Sequence, residues 1–231
     1  MKLERLPDDR IPADLSSHWQ ALQDEAGAGH LHTDVGMKEQ HQRDRLVRVA
    51  GLAVEWANRG PSNTVLEIGC CEGAMTRVMQ PYVAHILAVD FVQSLLDVCP
   101  RFNNVTYQLQ DVATWTPVGG AFGSPFDVTV VAEVLEHLED PVGLLRRLAD
   151  HTYMVVASCP VNEELNHDTA WDMTKIQALL TGSDRVGVGE GAGHIWAMDE
   201  EGFESMFEQA GYQIIHKEMI EPSCIVVAEP N

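Results

Sequence analysis

The stretch Thr64-Val65-Leu66-Glu67-Ile68-Gly69-Cys70-Cys71-Glu72-Gly73 decides the fold class. Val65, Leu66 and Ile68 read as a buried strand interrupted by one acid, and Gly69 and Gly73 bracket a tight turn. Residues 74–82 follow as a helix. Strand, glycine turn and helix in this order open a doubly wound, nucleotide-binding sheet, in which glycines let backbone approach a ligand that a Cβ would block. A second strand over 86–89 then delivers Asp90 at its C-terminal end, where an acid can accept both hydroxyls of a ribose.

The spacing excludes the dinucleotide fingerprint G-x-G-x-x-G, which aims a helix N-terminus at a pyrophosphate. Cys71 holds the middle position, and Glu72 places an acid where a pyrophosphate would need to approach. The turn suits a ribose-bearing ligand without phosphates. This pattern resembles the class I S-adenosylmethionine-dependent methyltransferases, whose signature is roughly h-h-E/D-h-G-x-G-x-G, and the resemblance runs from about Arg45 to the C-terminus.

Outward from the turn, the chain alternates. Strands are expected over 65–68, 86–89, 105–109, 128–132 and 153–157, with helices over 74–79, 92–98 and 141–150. Alternation of this kind predicts an α/β fold, a Rossmann-like parallel sheet with helices on both faces. Two late strands, 213–216 and 224–228, fit the antiparallel closure of a seven-stranded methyltransferase sheet. Leu46, Val49, Ala50, Ala53, Val54 and Ala57 have helical spacing, so 40–58 packs on the sheet. Asp199 reads as the N-cap of a helix over 199–210, with Phe203, Met206 and Phe207 on one face and Gly211 as its stop. The domain is expected over 41–231. Residues 1–40 are a polar arm or lid, with a weakly helical piece at 17–25. Residues 162–196, rich in glycine from Gly182 to Gly193, are a substrate-side insertion.

Composition narrows the partners. The chain of 231 residues carries 15 basic and 35 acidic residues, a formal net charge of −20. That opposes a nucleic-acid surface, because phosphate contacts need clustered Lys and Arg. No apolar run is long enough to cross a bilayer, and the charged start, Met1-Lys2-Leu3-Glu4-Arg5, lacks a signal core. Five cysteines without a C-x-x-C pair suggest the reduced cytoplasm. Nothing in the sequence sets the oligomeric state.

The family resemblance implies S-adenosylmethionine as cofactor and distributes its contacts. Glu67 and the turn Gly69, Cys70, Cys71 and Gly73 line the methionine end. Asp90 holds the ribose and Phe91 covers the adenine. Asp111 matches the position that accepts the adenine amino group, with the Val112 amide beside it, although it could instead cap the loop after its strand. Glu133 completes the set.

The acceptor side reads Glu133-Val134-Leu135-Glu136-His137 after the fourth strand. The Asn/Asp-Pro-Pro-aromatic motif of methyltransferases acting on planar amino groups is absent. The E-x-x-E-H form resembles instead the ubiquinone-biosynthesis O-methyltransferases. A helix starting near Glu133 would put Glu133, Glu136 and His137 on one face at i, i+3 and i+4. Together with His194 they could hold a divalent metal such as Mg or Mn, which would lower an acceptor hydroxyl's pKa. This set, and loosely Ser158-Cys159-Pro160-Val161-Asn162-Glu163, also resembles the RNA 3′-terminal ribose 2′-O-methyltransferases. In the metal-free alternative His194 or His137 is the general base, with His167 and Asp168 next in line and Trp171 and Trp196 as acceptor walls.

These readings converge on a methyltransferase of a small-molecule hydroxyl, a sugar or a vicinal diol or catechol, assisted by a metal or a histidine base. Leu66-Glu67-Ile68-Gly69-Cys70 and Val131-Ala132-Glu133-Val134-Leu135 are similar to nodulation-type N-methyltransferases of amino sugars, which keeps an amine acceptor open. An RNA ribose substrate and a non-catalytic cofactor-binding protein are the further alternatives.

Overall fold

A computed structural model describes residues 1–5, 40–118, 124–162 and 194–231. The elements are β1 (Leu3–Arg5), α1 (Gln40–Ala57), β2 (Thr64–Ile68), α2 (Ala74–Met79), β3 (His85–Asp90), α3 (Gln93–Val98), β4 (Val105–Leu109), β5 (Phe126–Ala132), α4 (Pro141–Leu148), β6 (Thr152–Pro160), β7 (Trp196–Met198), α5 (Glu200–Ala210), β8 (Tyr212–Ile220) and β9 (Ser223–Pro230). Seven strands form one sheet in the order β4-β3-β2-β5-β6-β9-β8. Strands β4 to β6 are mutually parallel, and β9 runs antiparallel to both of its neighbours, β6 and β8. This is the α/β, Rossmann-like sheet with antiparallel closure that the alternation predicted.

Side-chain alternation explains why the central strands read as continuous apolar runs. Val155, Ala157 and Cys159 of β6 point into one core, with Leu66 and Ile68 of β2 and with Leu144, Leu145, Leu148, Phe203 and Phe207 of α4 and α5. Met154 and Val156 point into the other, with Val65 and with Val49, Leu52, Ala53 and Ala57 of α1. A parallel sheet covered on both faces needs apolar residues at successive positions. Its switch point lies between β2 and β5: the chain steps outward from β2 to β3 and β4, then crosses back to β5 on the other side of β2, and a crevice there is where such sheets bind ligands.

Local signals set several boundaries. Asp140 caps α4 by accepting from the Gly143 amide at 2.8 Å, and Pro141 sits at its first turn, where no amide is needed. Asp199 caps α5 by accepting from Gly202, and Gly211 ends it at φ 86°. The helix expected over 74–82 stops at Met79 and tightens into a 3-10 turn, Gln80–Tyr82, because Pro81 lacks the amide a continuing helix requires. Strand β6 runs on past the expected end at 157 through Ser158, Cys159 and Pro160; pairing with Ile225, Cys224 and Ser223 of β9 carries it. Strands β1 and β7, three residues each, pair antiparallel in a small separate sheet. Three residues are too short for a periodic signal, and β1 lies in what reads as a polar arm.

The remainder of that arm, with the helical piece at 17–25, lies outside the described residues. So do most of the 162–196 segment, with His167, Asp168 and Trp171, and its glycines from Gly182 to Gly193. Among the described residues no helix is long and apolar enough to cross a membrane.

Candidate functional site

The C-terminal ends of β2, β3 and β5 carry the residues singled out above. The first turn is built by backbone. Gly69 takes φ 72°, and the amides of Gly69 and Cys70 both reach the Val89 carbonyl, at 2.9 and 3.1 Å. A Cβ on Gly69 would lie 2.6 Å from Val134 Cγ2, so this position excludes any other residue on two counts. The Gly73 amide closes the turn on the Cys70 carbonyl at 2.8 Å. Between them Cys71 adopts φ 49°, the left-handed region that favours the glycine the family pattern carries there. Asp90 compensates by accepting the Cys71 amide at 2.9 Å. Glu72 packs down, 6% exposed.

Asp90 ends β3 almost fully buried. Its Oδ2 takes the Cys71 amide and its Oδ1 takes the Val92 amide at 3.0 Å, and the Phe91 amide is a further backbone donor to the same carboxyl. Burial raises its pKa while the amides hold it down. Glu67 is 3% exposed and accepts from Thr76 Oγ1 at 2.5 Å. Burial pushes its carboxyl up to about 8 against that hydrogen bond. Phe91 is half-buried next in the chain.

In the turn after β4, Asp111 Oδ1 accepts the Ala113 amide at 2.9 Å and its carbonyl accepts the amides of Thr114 and Trp115, so it caps its loop. The Gln110 amide reaches the Asp90 carbonyl at 2.8 Å, which ties that loop to the end of β3. Val112 is buried. Two residues here were not legible in the sequence. Arg147, from α4, donates to the carbonyls of Val112 at 2.8 Å and Ala113 at 3.0 Å and so pins the loop. The Cys99 thiol donates to the Cys71 carbonyl at 3.2 Å from beneath the first turn. Its contact with Cys70, together with burial, pushes the Cys70 thiol well up.

The acceptor side departs from the helical expectation. Glu133 takes φ 54° and its amide donates to the Ser158 carbonyl at 2.9 Å, so no α-helix starts there. The chain makes a 3-10 turn instead, Leu135–His137. Glu133 therefore does not share a face with Glu136 and His137. Its Oε2 accepts from Arg45 Nη1 at 2.7 Å and from Ser223 Oγ at 3.4 Å, and its Oε1 from Ser158 Oγ at 2.8 Å. Those donors use most of its acceptor capacity, which removes it from the metal set and leaves it little to offer a cofactor. Arg45 and Ser223 lie 88 and 90 residues from Glu133 in the sequence, so no local pattern announces them.

Glu136, His137 and His194 do converge: one ligand atom from each lies within 4.8 Å of the others. The imidazoles meet edge to face with ring centroids 4.7 Å apart. Glu136 is 1% exposed, and its Oε1 has no hydrogen-bond partner among the described residues. That oxygen lies 4.0 Å from His137 Nε2, and Oε2 accepts from the Cys159 thiol at 3.6 Å. Burial pushes the Glu136 carboxyl up to about 8, with Glu133 adding to the shift and His194 and Arg45 opposing it. A buried carboxyl with one open oxygen between two imidazoles can exchange a proton with them or complete a ligand set.

Comparison with known proteins places these observations. The ubiquinone biosynthesis O-methyltransferase of Coxiella burnetii is 30% identical over 90 residues, 37% of this chain and 37% of that protein. Nodulation protein S of Sinorhizobium fredii is 26% identical over 136 residues, covering 54% of this chain and 58% of that one. The matched stretches thus span less than two thirds of either curated relative. The solved structure of the N-methyltransferase NodS of Bradyrhizobium japonicum, in complex with S-adenosyl-l-homocysteine, superposes with a TM-score of 0.61 at 16% identity, over 92% of this chain and 98% of that one. At that identity it attests the fold. The methyltransferase domain family matches residues 40–217, from the start of α1 into β8, and this chain belongs to that family.

Proposed function

We propose that this protein is an S-adenosylmethionine-dependent methyltransferase of a small-molecule hydroxyl. The observation that carries the reading is Asp90: a buried carboxyl at the end of β3, held in place by backbone amides of the glycine turn and of its own loop, in the crevice where such sheets bind ligands. An acid there is the complement of a ribose diol. Glu67 and the turn from Gly69 to Gly73 would face the aminocarboxypropyl end, Phe91 the adenine, and Asp111 with Val112 its amino edge. The bound cofactor supplies an electrophilic methyl on a sulfonium.

The chain's own part in the reaction is to orient the acceptor in line with that methyl and to remove its proton. As the new O–CH3 bond forms and the S–CH3 bond breaks, the hydroxyl proton passes to a histidine. His194 is assigned as the base, with His137 beside it. Glu136, with Oε1 4.0 Å from His137 Nε2, would help orient that ring beside the base. The turn after β5 is held rigid by Arg45, Ser158 and Ser223 acting on Glu133.

A second reading rests on the same cluster. One open, buried carboxylate oxygen and two imidazoles fit a divalent cation of borderline softness better than Mg, which prefers an all-oxygen shell. Such an ion would act as a Lewis acid on the acceptor oxygen. Activity that survives excess EDTA leaves the histidine-base mechanism alone. An amine acceptor is the other variant, supported by the likeness to nodulation protein S. The carboxylate and imidazoles suit a protonated amine as well as a hydroxyl. The acidic surface speaks against RNA, and five free thiols suit the cytoplasm.

The deciding experiment is calorimetric titration with S-adenosylmethionine, its demethylated product and NAD, followed by incubation with a metabolite library and mass-spectrometric detection of one added methyl. Binding of the first two ligands without NAD, and a product on oxygen, is the expected result. Tight NAD binding sinks the cofactor assignment. A product methylated on nitrogen replaces the hydroxyl reading with the amine one.

A further inference from the structure

We propose that β1 is a clasp that positions His194, and that Gly202 is the residue that seats it; this rests on the assignment of His194 to the acceptor site. His194 lies two residues before the first residue of β7, and two hydrogen bonds set its distance from the turn carrying Glu136 and His137. The Ile195 amide donates to the Glu136 carbonyl at 2.8 Å, and Trp196 Nε1 donates to the Leu138 carbonyl at 2.9 Å. The placement of His194 is therefore the placement of β7.

Strand β7 is not part of the main sheet. Among the described residues its strand partner is β1, through Leu3 with Met198, Glu4 with Ala197 and Arg5 with Trp196. The register is locked just beyond the ladder. The Lys2 amide donates to Asp199 Oδ2 at 2.7 Å, and the Asp199 amide returns a bond to the Lys2 carbonyl at 3.1 Å. That carbonyl rests on the first turn of α5, where a Cβ on Gly202 would come within 2.0 Å of Lys2 O. Gly202 has ordinary helical backbone, so it is not needed for its conformation; it leaves the space that β1 occupies. Alanine there is a good helix former and keeps α5 while expelling the strand. Asp199 does two things at once. Its Oδ1 caps α5 through the Gly202 amide at 2.8 Å, and its Oδ2 holds β1. Serine can keep the cap but has no second oxygen for Lys2.

A loosened β7 lets the His194 imidazole drift from its partner, and small misplacement of a reacting group is costly in rate. The test uses the full chain. Gly202→Ala is expected to lower kcat by roughly 10- to 100-fold with the cofactor Kd unchanged. Asp199→Ser should give a smaller loss of the same kind, and it decides the question if Gly202→Ala fails to fold. Combining Gly202→Ala with His194→Ala should add little to His194→Ala alone. Positioning is also read without turnover, as hydrogen exchange of the Ile195 amide, which should speed up in both clasp variants. Normal kcat in both variants, where His194→Ala is impaired, overturns the clasp. If His194→Ala is fully active the acceptor-site assignment falls, and unchanged Ile195 exchange in Gly202→Ala then overturns the clasp independently.

Discussion

The two halves of the site are made of different material. The half at β2 and β3 is backbone: glycines in left-handed conformation, amides on Val89 and on Asp90, a loop closed on its own carbonyls. The half at β5 is side chain: Glu133 held by Arg45, Ser158 and Ser223, and Glu136 between two histidines. Backbone geometry is imposed by neighbours in sequence, so it recurs wherever the same short pattern occurs. Side-chain convergence is imposed by the whole fold and can vary while the fold stays fixed. The first half is suited to a ligand shared by a family, and the second to an acceptor that differs between members.

That contrast can be broken by mutation. The largest effect should come from the acceptor half. His194→Ala is expected to reduce kcat by about 10²–10⁴-fold as loss of a general base, with cofactor affinity intact; a parallel loss of affinity would mean the halves are not separable. The reverse dissociation should follow from Asp90→Ala, which removes an acceptor for both ribose hydroxyls at a cost of about 1.5–3 kcal/mol in cofactor binding, read by calorimetry. Unaltered affinity would remove Asp90 from the site.

Arg45→Met sharpens the picture of the acceptor half as a scaffold of its own. It strands the Glu133 carboxylate in a partly buried position, and the Arg45 and Glu133 side chains are only 17% and 22% exposed. The expected loss is about 1–3 kcal/mol of stability, largely restored by adding Glu133→Gln. A double variant as unstable as Arg45→Met alone would show that the charge pairing is not what Arg45 provides.

The remaining effect concerns pH. Glu67 has its carboxyl pushed up to about 8 by burial, above its ordinary value of 4.5. The folded state then binds a proton that the unfolded state has released, so this group's stabilising contribution is complete below pH 4.5 and is lost as pH rises through about 8. Thermal melts of the wild type should fall over that window, and Glu67→Gln should flatten the fall. An identical slope in both proteins would mean that the acid is ionised in the folded state.

The same distinction decides what could be read in the sequence. The order of strands, the turn at Gly69, the position of Asp90 and the cap at Asp199 were legible because each is set by a few adjacent residues. Cys71, at a position where the family pattern carries glycine, sits in the left-handed region with its amide bonded to Asp90. The helix expected at Glu133 was not formed, because the carboxylate has partners far away that hold the backbone at positive φ. Arg147 and Cys99 escaped for the same reason. The 3-residue strands β1 and β7 escaped because a ladder that short leaves no periodicity.

The placement of β9 has a consequence for how the molecule is made. It follows every other strand in sequence yet lies inside the sheet, between β6 and β8. As the chain emerges during synthesis, the segments from β2 to β6 can assemble the cofactor turn early, while the edge of β6 stays bare. A bare, apolar strand edge is a template for wrong pairing. Ser223, the partner of Glu133, arrives with the strand that covers it. A nascent chain halted before β9 should therefore fold around cofactor but carry an unfinished acceptor corner and a sticky edge, so that the last strand both seals the sheet and completes the catalyst.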